Sequence, residues 1–142
     1  MAIFYDRQDT KFMLRGRRKV SAWINECAGL FSKEVSELSI VFCSDDYIFN
    51  INRQYLQHDY FTDIITFDYS EGESLAGDLI ISIDTVKQNA REFSVTFHVE
   101  LLRVMIHGVL HLAGFKDKSP KDAKVMREME DRCLGVWFSK YE

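Results

Sequence analysis

Apolar residues recur along the chain at two spacings, and these spacings predict where helices and strands lie. Between about Arg17 and Leu30 the apolar positions fall three and four residues apart, which predicts a helix. Unbroken apolar or β-branched runs predict three strands, at 38–43 (LSIVFC), 62–69 (TDIITFDY) and 78–83 (DLIISI). The polar, glycine-bearing segment that joins the second strand to the third is too long for a tight hairpin.

Capping residues mark the starts of further helices. Ser44, followed by two aspartates, is a good N-cap for a helix that runs through Tyr55. Asp84 is predicted to cap a helix from Thr85 to about Glu92. Each of these segments places its apolar residues at helical spacing, so each helix is expected to pack against a core.

Two longer helices are predicted in the last third of the chain. The first runs from about Thr96 to Ala113, and Gly114 can end it in the left-handed conformation. Ser119 and Pro120, an N-cap followed by proline, begin the last helix. Because the helices and the few strands do not strictly alternate, the fold class is predicted to be α+β.

Composition predicts a soluble, single-domain protein. The 142 residues fit one domain, 1–142, and no apolar run reaches the roughly 18 residues of a membrane helix. The N-terminus lacks the basic and apolar regions of a secretory signal, and the three widely spaced cysteines have apolar neighbours. Both features favour a cytoplasmic protein with reduced thiols. A net charge of −4 argues against non-specific coating of nucleic acid, and the basic segment 15–19 (RGRRK) is best interpreted as the solvated start of a helix.

Polar residues in the long apolar helix form one stripe. Glu100, Arg103, His107 and His111 are three, four and four residues apart, so they share a helix face. Such a stripe is either a solvent-facing seam or the wall of a polar cleft. Two readings of Glu100 remain open at this point: it orients a ligand imidazole, or it pairs with Arg103.

The segment 107–117 (HGVLHLAGFKD) predicts a metal site. Histidines at i and i+4 bring two imidazoles within about 6 Å of each other, and the Gly114 turn allows Asp117 to fold back toward them. Two histidines and one carboxylate leave an open position, as a catalytic Zn²⁺ site requires, although Ni²⁺, Mn²⁺ or Fe²⁺ also suit this set. Gly108 is expected to allow close approach of substrate or backbone, and it stands where zinc proteases carry their glutamate base.

The same segment resembles the YbeY family of endoribonucleases, whose hallmark is HGxLHLxGYDH. The likeness extends to 52–67 (NRQYLQHDYFTDIITF), to 76–82 (AGDLIIS), to Glu100 and to the last helix. It implies a small mixed β-sheet flanked by about five helices, with one zinc-type ion bound by the hallmark motif on a central helix. The implied activity is cleavage of ribosomal RNA precursors, especially at the 3′ end of the small-subunit RNA, together with a role in ribosome quality control. The implied partners are that RNA and small-subunit particles, with no membrane and no DNA.

Two positions depart from the family pattern. Asp117 stands where the family has its third histidine, so the implied ligands are His107, His111 and Asp117. An ion bound by two imidazoles and one carboxylate carries less net positive charge than an ion bound by three imidazoles. Leu56 stands where the family has an arginine thought important for activity. Arg53 and His58 are the tentative catalytic substitutes, although both also read as ordinary surface residues.

Three functions therefore compete. The first is a metal-dependent endoribonuclease, which the motif and the resemblance favour. The second is a metal hydrolase of another substrate such as peptide, which the glycine at position 108 disfavours. The third is a non-catalytic ribosome-assembly factor with a structural metal, which Leu56 and the acidic pI near 5.6 favour.

Overall fold

A four-stranded mixed β-sheet flanked by helices forms the protein, as the predicted α+β class requires. The structure is a computed structural model and describes residues 2–56 and 62–142. The strands are β1 (Ala2–Gln8), β2 (Glu34–Cys43), β3 (Ile64–Asp68) and β4 (Ser74–Ser82). The helices are α1 (Arg17–Leu30), α2 (Asp45–Leu56), α3 (Ile83–Glu92), α4 (Phe97–Leu112) and α5 (Pro120–Val136), and a π-helical turn follows at Trp137–Tyr141.

The sheet order is β1-β2-β4-β3; β2 pairs in parallel with β1 and with β4, and β3 pairs antiparallel with β4. The sequence did not predict β1, and none of the residues of this strand is fully buried. It is held at the sheet edge by parallel pairing with β2, from Ala2 opposite Glu37 to Gln8 opposite Cys43. At the opposite edge lies β3, and the outer side of this strand borders the candidate site described below.

Helix α4 forms the centre of the main core. Ten of its residues are buried, and it packs between the sheet and the helices α1, α3 and α5. The other face of the sheet is covered by α2, whose Ile48 packs with Ile65 and Ile80. Among the described residues no single helix is long and apolar enough to cross a membrane; α3 and α4 meet that test only together, as a pair bent by 116°.

Of the three residues predicted as N-caps, two are confirmed and one is wrong. The Ser44 hydroxyl accepts from the Tyr47 amide at 3.1 Å, and Ser119 caps α5. Helix α3 instead begins directly after β4, and its cap is Ser82, not Asp84. The Asp84 carboxylate accepts from the Asp45 amide at 2.9 Å, so it stabilises the first turn of α2 across space.

Gly77 in β4 allows a close approach between the sheet and α4. A Cβ at this position would collide with the Phe67 carbonyl oxygen and would lie 2.9 Å from a methyl of Leu112. We expect Gly77→Ala to destabilise the fold by about 1–3 kcal/mol, because a backbone oxygen cannot move aside as a flexible side chain does. Chemical denaturation measures the effect.

Gly135→Ala in α5 is the matched control for this change. No atom lies within 4 Å of the added Cβ at that position, and alanine favours a helix by about 1 kcal/mol relative to glycine. The control is therefore expected to be neutral or stabilising. Equal stability of the two variants would contradict the close approach at Gly77.

Candidate metal centre

Three side chains predicted as metal ligands lie together at the C-terminal end of α4. The Nε2 atoms of His107 and His111 are 3.0 Å apart. One Asp117 carboxylate oxygen, Oδ2, lies 3.1 Å from His107 Nε2 and 3.3 Å from His111 Nε2. Gly114 follows the end of α4 and has a φ of 103°, in the left-handed region, as predicted. This turn directs the chain back, so that Asp117 lies beside the two histidines of α4.

These distances fit a single small divalent ion. Ligand atoms about 2.0–2.1 Å from a tetrahedral Zn²⁺ are about 3.3 Å from one another. The three distances within the cluster are close to that edge length, and among the described residues this is the one group of three or more such side chains that could hold an ion. Three protein ligands leave a fourth position open for water or substrate.

A carboxylate on α5 fixes the orientation of the first imidazole. Glu130 Oε2 lies 2.6 Å from His107 Nδ1, so Nδ1 carries the proton and the Nε2 lone pair faces the cluster. Burial lowers the pKa of His107, but the hydrogen bond and charge of Glu130, with the charges of Asp117 and Asp63, outweigh it and raise that pKa above its ordinary value. The buried Glu130 therefore stabilises positive charge on the ring, from either a proton or an ion.

The other Glu130 oxygen accepts from Arg103. Arg103 Nη1 lies 2.9 Å from Glu130 Oε1, and its Nη2 lies 2.7 Å from Asp131 Oδ1. Arg103 thus pairs with α5, and neither reading of Glu100 holds, because Glu130 takes both roles. Sequence reasoning missed Glu130 as a functional residue. The available signal was its position between Met126 and Cys133, on the buried face of an otherwise amphipathic helix.

A cleft of about 490 Å³ opens over the cluster, and we call it the metal cleft. It runs along the free edge of β3 from α4 to the end of α2, where Asn52 and Leu56 line it. Arg53 does not line it; its guanidinium lies 5.9 Å from the centre of the Phe49 ring. His58, the other tentative catalytic residue, lies outside the described residues.

A second cavity of about 330 Å³ lies between α3, α4 and α5, and we call it the helix cavity. Both cavities share Asp63, Ile64, His107 and Asp117, so they meet at the cluster. Burial raises the pKa of Asp63, although the charge of His107 acts in the opposite direction. Asp63 lies at the junction and lines both cavities, whereas the neighbouring Thr62 lines the metal cleft alone.

Gly108 faces the core, so of the two close approaches expected there, that of a substrate is wrong and that of another protein segment is the one observed. A Cβ there would lie 2.8 Å from methyl groups of both Ile64 and Leu79. The absence of a side chain allows α4 to pack closely on β3 and β4, next to the histidines. Because this position points away from the metal cleft, a glutamate there could not serve as the base of a protease.

The chain is similar to known proteins over nearly its whole length. The family model described as Endoribonuclease YbeY matches residues 4–137. A relative of that name in Parabacteroides distasonis is 48% identical over 136 residues, which cover 96% of each chain, and another in Bacteroides thetaiotaomicron is 46% identical over 96% of this chain and 99% of its own. The solution structure of a Thermotoga maritima protein aligns with a TM-score of 0.66 and 30% identity, over 99% of this chain and 94% of that one. A family match over nearly the whole chain, on a fold that gathers the hallmark residues into one cluster, shows that the chain belongs to the endoribonuclease YbeY family.

Proposed function

We propose that this protein is a metal-dependent endoribonuclease of ribosomal RNA processing. The main support is the cluster of His107, His111 and Asp117, which lines an open cleft. The relatives of this chain bear the name endoribonuclease. The substrate we propose is precursor RNA of the small ribosomal subunit, cleaved near its 3′ end, with small-subunit particles as partners. We place this activity and a role in ribosome quality control in the cytoplasm.

The cluster would hold one ion, and we propose Zn²⁺ with another divalent ion such as Ni²⁺ as the alternative. Such an ion supplies a Lewis acid and an acidic bound water to a phosphodiester. His107 binds through Nε2 because Glu130 occupies its Nδ1. Asp117 brings a negative charge that a third imidazole would not bring, which lowers the net positive charge offered to the phosphate.

In the metal cleft, the bound ion would be the positive charge that faces the phosphate. Among the described residues that line the cleft there is no lysine or arginine, and Leu56 contributes only apolar surface. Asp63 lines the cleft just before the start of β3. We still propose Arg53 and His58 as the catalytic residues of the region around Leu56, and Arg53 would have to turn toward the cleft, which it does not line.

The lack of a lining cation also favours one alternative, a non-catalytic ribosome-assembly factor with a structural ion. That function predicts association with small-subunit particles that survives the loss of His107 or His111 in a folded protein. A peptide hydrolase is disfavoured, because Gly108 packs on the core where a zinc protease needs its base.

The test of the proposed function is cleavage of a small-subunit RNA precursor by the purified protein. We expect cleavage with bound Zn²⁺, its loss after chelation, and its return on adding back Zn²⁺ or Ni²⁺, with the ion identified by elemental analysis. Two results together would establish the assembly function instead. The metal-loaded protein would leave the precursor intact, and the His111→Ala protein would still bind small-subunit particles.

A further inference from the structure

The helix cavity contains a buried carboxylate that the metal centre does not use. Glu100, on the first turn of α4, is 5% exposed and lines this cavity. Its carboxylate makes no hydrogen bond or ion pair with any residue in the described ranges 2–56 and 62–142. Arg103, on the same helix face, has its guanidinium bound to Glu130 and Asp131. The residue is largely buried, but its carboxylate borders the cavity, so its hydrogen-bonding capacity is open to a ligand that enters there.

The burial of Glu100 also raises its pKa, with Asp63 and Glu130 acting in the same direction and Arg103 and Arg127 against. In either protonation state a carboxyl group can hydrogen-bond to a hydroxyl, as acceptor when ionised and as donor when neutral. A sugar hydroxyl is therefore a suitable partner whichever form is present.

Two other side chains of the helix cavity suit the base and a phosphate of a nucleotide, and a third adds a polar group. Phe93, at the end of α3, is 57% exposed and offers a ring face on which a base can stack. Arg127, exposed on α5, makes no ion pair with a described residue and can bind a phosphate. Asn89 adds a carboxamide that already donates to Asp63 over 3.4 Å. The volume of about 330 Å³ lies at the lower end of the range for ligand pockets.

The helix cavity is continuous with the metal cleft. His107 and Asp117 line both, so a strand that crosses the cluster can pass from one into the other. Glu100 precedes His107 by seven residues on α4, which is about 10 Å along the helix axis. That distance is on the scale of one or two nucleotides of an extended strand.

We propose that the helix cavity binds one nucleotide of the RNA strand beside the cleavage site, with Glu100 hydrogen-bonded to its ribose 2′-hydroxyl. Phe93 stacks on the base of this nucleotide, and Arg127 binds a phosphate at the exposed side of the cavity. The inference rests on the proposed function. It makes Glu100 the residue by which the protein distinguishes RNA from DNA, because only RNA carries the 2′-hydroxyl.

The test compares binding of a fluorescent single-stranded RNA and the DNA of the same sequence to the full chain, in chelator so that nothing is cleaved. We expect the wild-type protein to prefer RNA by about tenfold, the ordinary effect of one hydrogen bond to a buried charged group. Glu100→Ala should bind RNA as weakly as DNA. Glu100→Gln, whose amide still hydrogen-bonds a hydroxyl, should keep most of the preference.

Glu128→Ala is the matched control, because this exposed glutamate of α5 does not line the cavity. It should leave the RNA preference unchanged. If Glu100→Ala does not fold by circular dichroism, Phe93→Ala and Arg127→Ala test the same cavity from exposed positions. Each should weaken RNA binding, and Arg127→Ala should reduce the slope of log K against log salt by about 0.7.

The two proposals fail in different ways. An unchanged RNA-to-DNA ratio in folded Glu100→Ala, or unchanged RNA binding by both exposed variants, overturns the nucleotide site even when the loaded protein cleaves RNA. A wild-type protein that prefers RNA through Glu100 but never cleaves it overturns the proposed function and leaves the nucleotide site standing.

Discussion

Asp117→Ala is expected to remove the bound ion and RNA cleavage while leaving the fold intact. We propose Asp117 as the third ligand, because its Oδ2 lies 3.1 Å and 3.3 Å from the two imidazole nitrogens. Four-ligand structural zinc sites bind with about 10–16 kcal/mol, so one ligand contributes roughly 3 kcal/mol, which is more than a hundredfold in affinity. The side chain is 38% exposed, so its truncation leaves no hole in the core. Elemental analysis and chelator competition measure the loss.

Asp117→His provides the sharpest comparison, because it restores the histidine that the family pattern has at this position. Three imidazoles should hold the ion and leave it with more net positive charge, which makes the bound water more acidic. We expect this variant to retain its ion and to cleave RNA at a lower pH than the wild type. An Asp117→Ala protein that keeps one ion per chain would show that Asp117 is not a ligand.

The histidine cluster could be predicted from the sequence because its causes are local. His107 and His111 share a face through helical spacing alone, and Gly114 follows within three residues. The confirmed caps at Ser44 and Ser119 are local in the same sense, since each serine bonds to an amide three residues later. Such features depend on a single turn of chain, which the sequence displays directly.

Contacts between distant segments could not be predicted in this way. Glu130 meets His107 across 23 residues of sequence and Arg103 across 27, and only the packing of α5 on α4 brings them together. Asp84 looked like a helix cap because its chemistry suits one, but it caps α2 from 39 residues away. The direction of Gly108 depended likewise on which face of α4 meets the sheet.

The second large effect is expected from Glu130→Ala, which removes a carboxylate that two buried cationic groups share. Glu130 has 6% of its side chain exposed, Arg103 has 17% and His107 has 22%. Removing one partner of a buried ion pair costs about 3–5 kcal/mol, and we expect the lower end of this range here, because Arg103 keeps its contact with Asp131 while His107 loses its Nδ1 partner. Loss of the hydrogen bond to Nδ1 should also weaken ion binding about 10–100-fold, since the ring is no longer held with Nε2 toward the cluster.

Asp131→Ala is the matched control, one residue along the same helix. Its carboxylate also binds Arg103, at 2.7 Å, but its side chain is 59% exposed, so the expected cost is within about 1 kcal/mol and ion affinity should not change. Urea denaturation of the metal-free proteins separates the stability effect from the ligand effect, and chelator competition then measures the affinity. If Glu130→Ala matched Asp131→Ala in both measurements, the pairing of Glu130 with Arg103 and His107 would be a surface contact without influence on the site. If only ion affinity fell, Glu130 would orient the imidazole without stabilising the α4–α5 interface, because the contact of Arg103 with Asp131 would be enough to hold the two helices together.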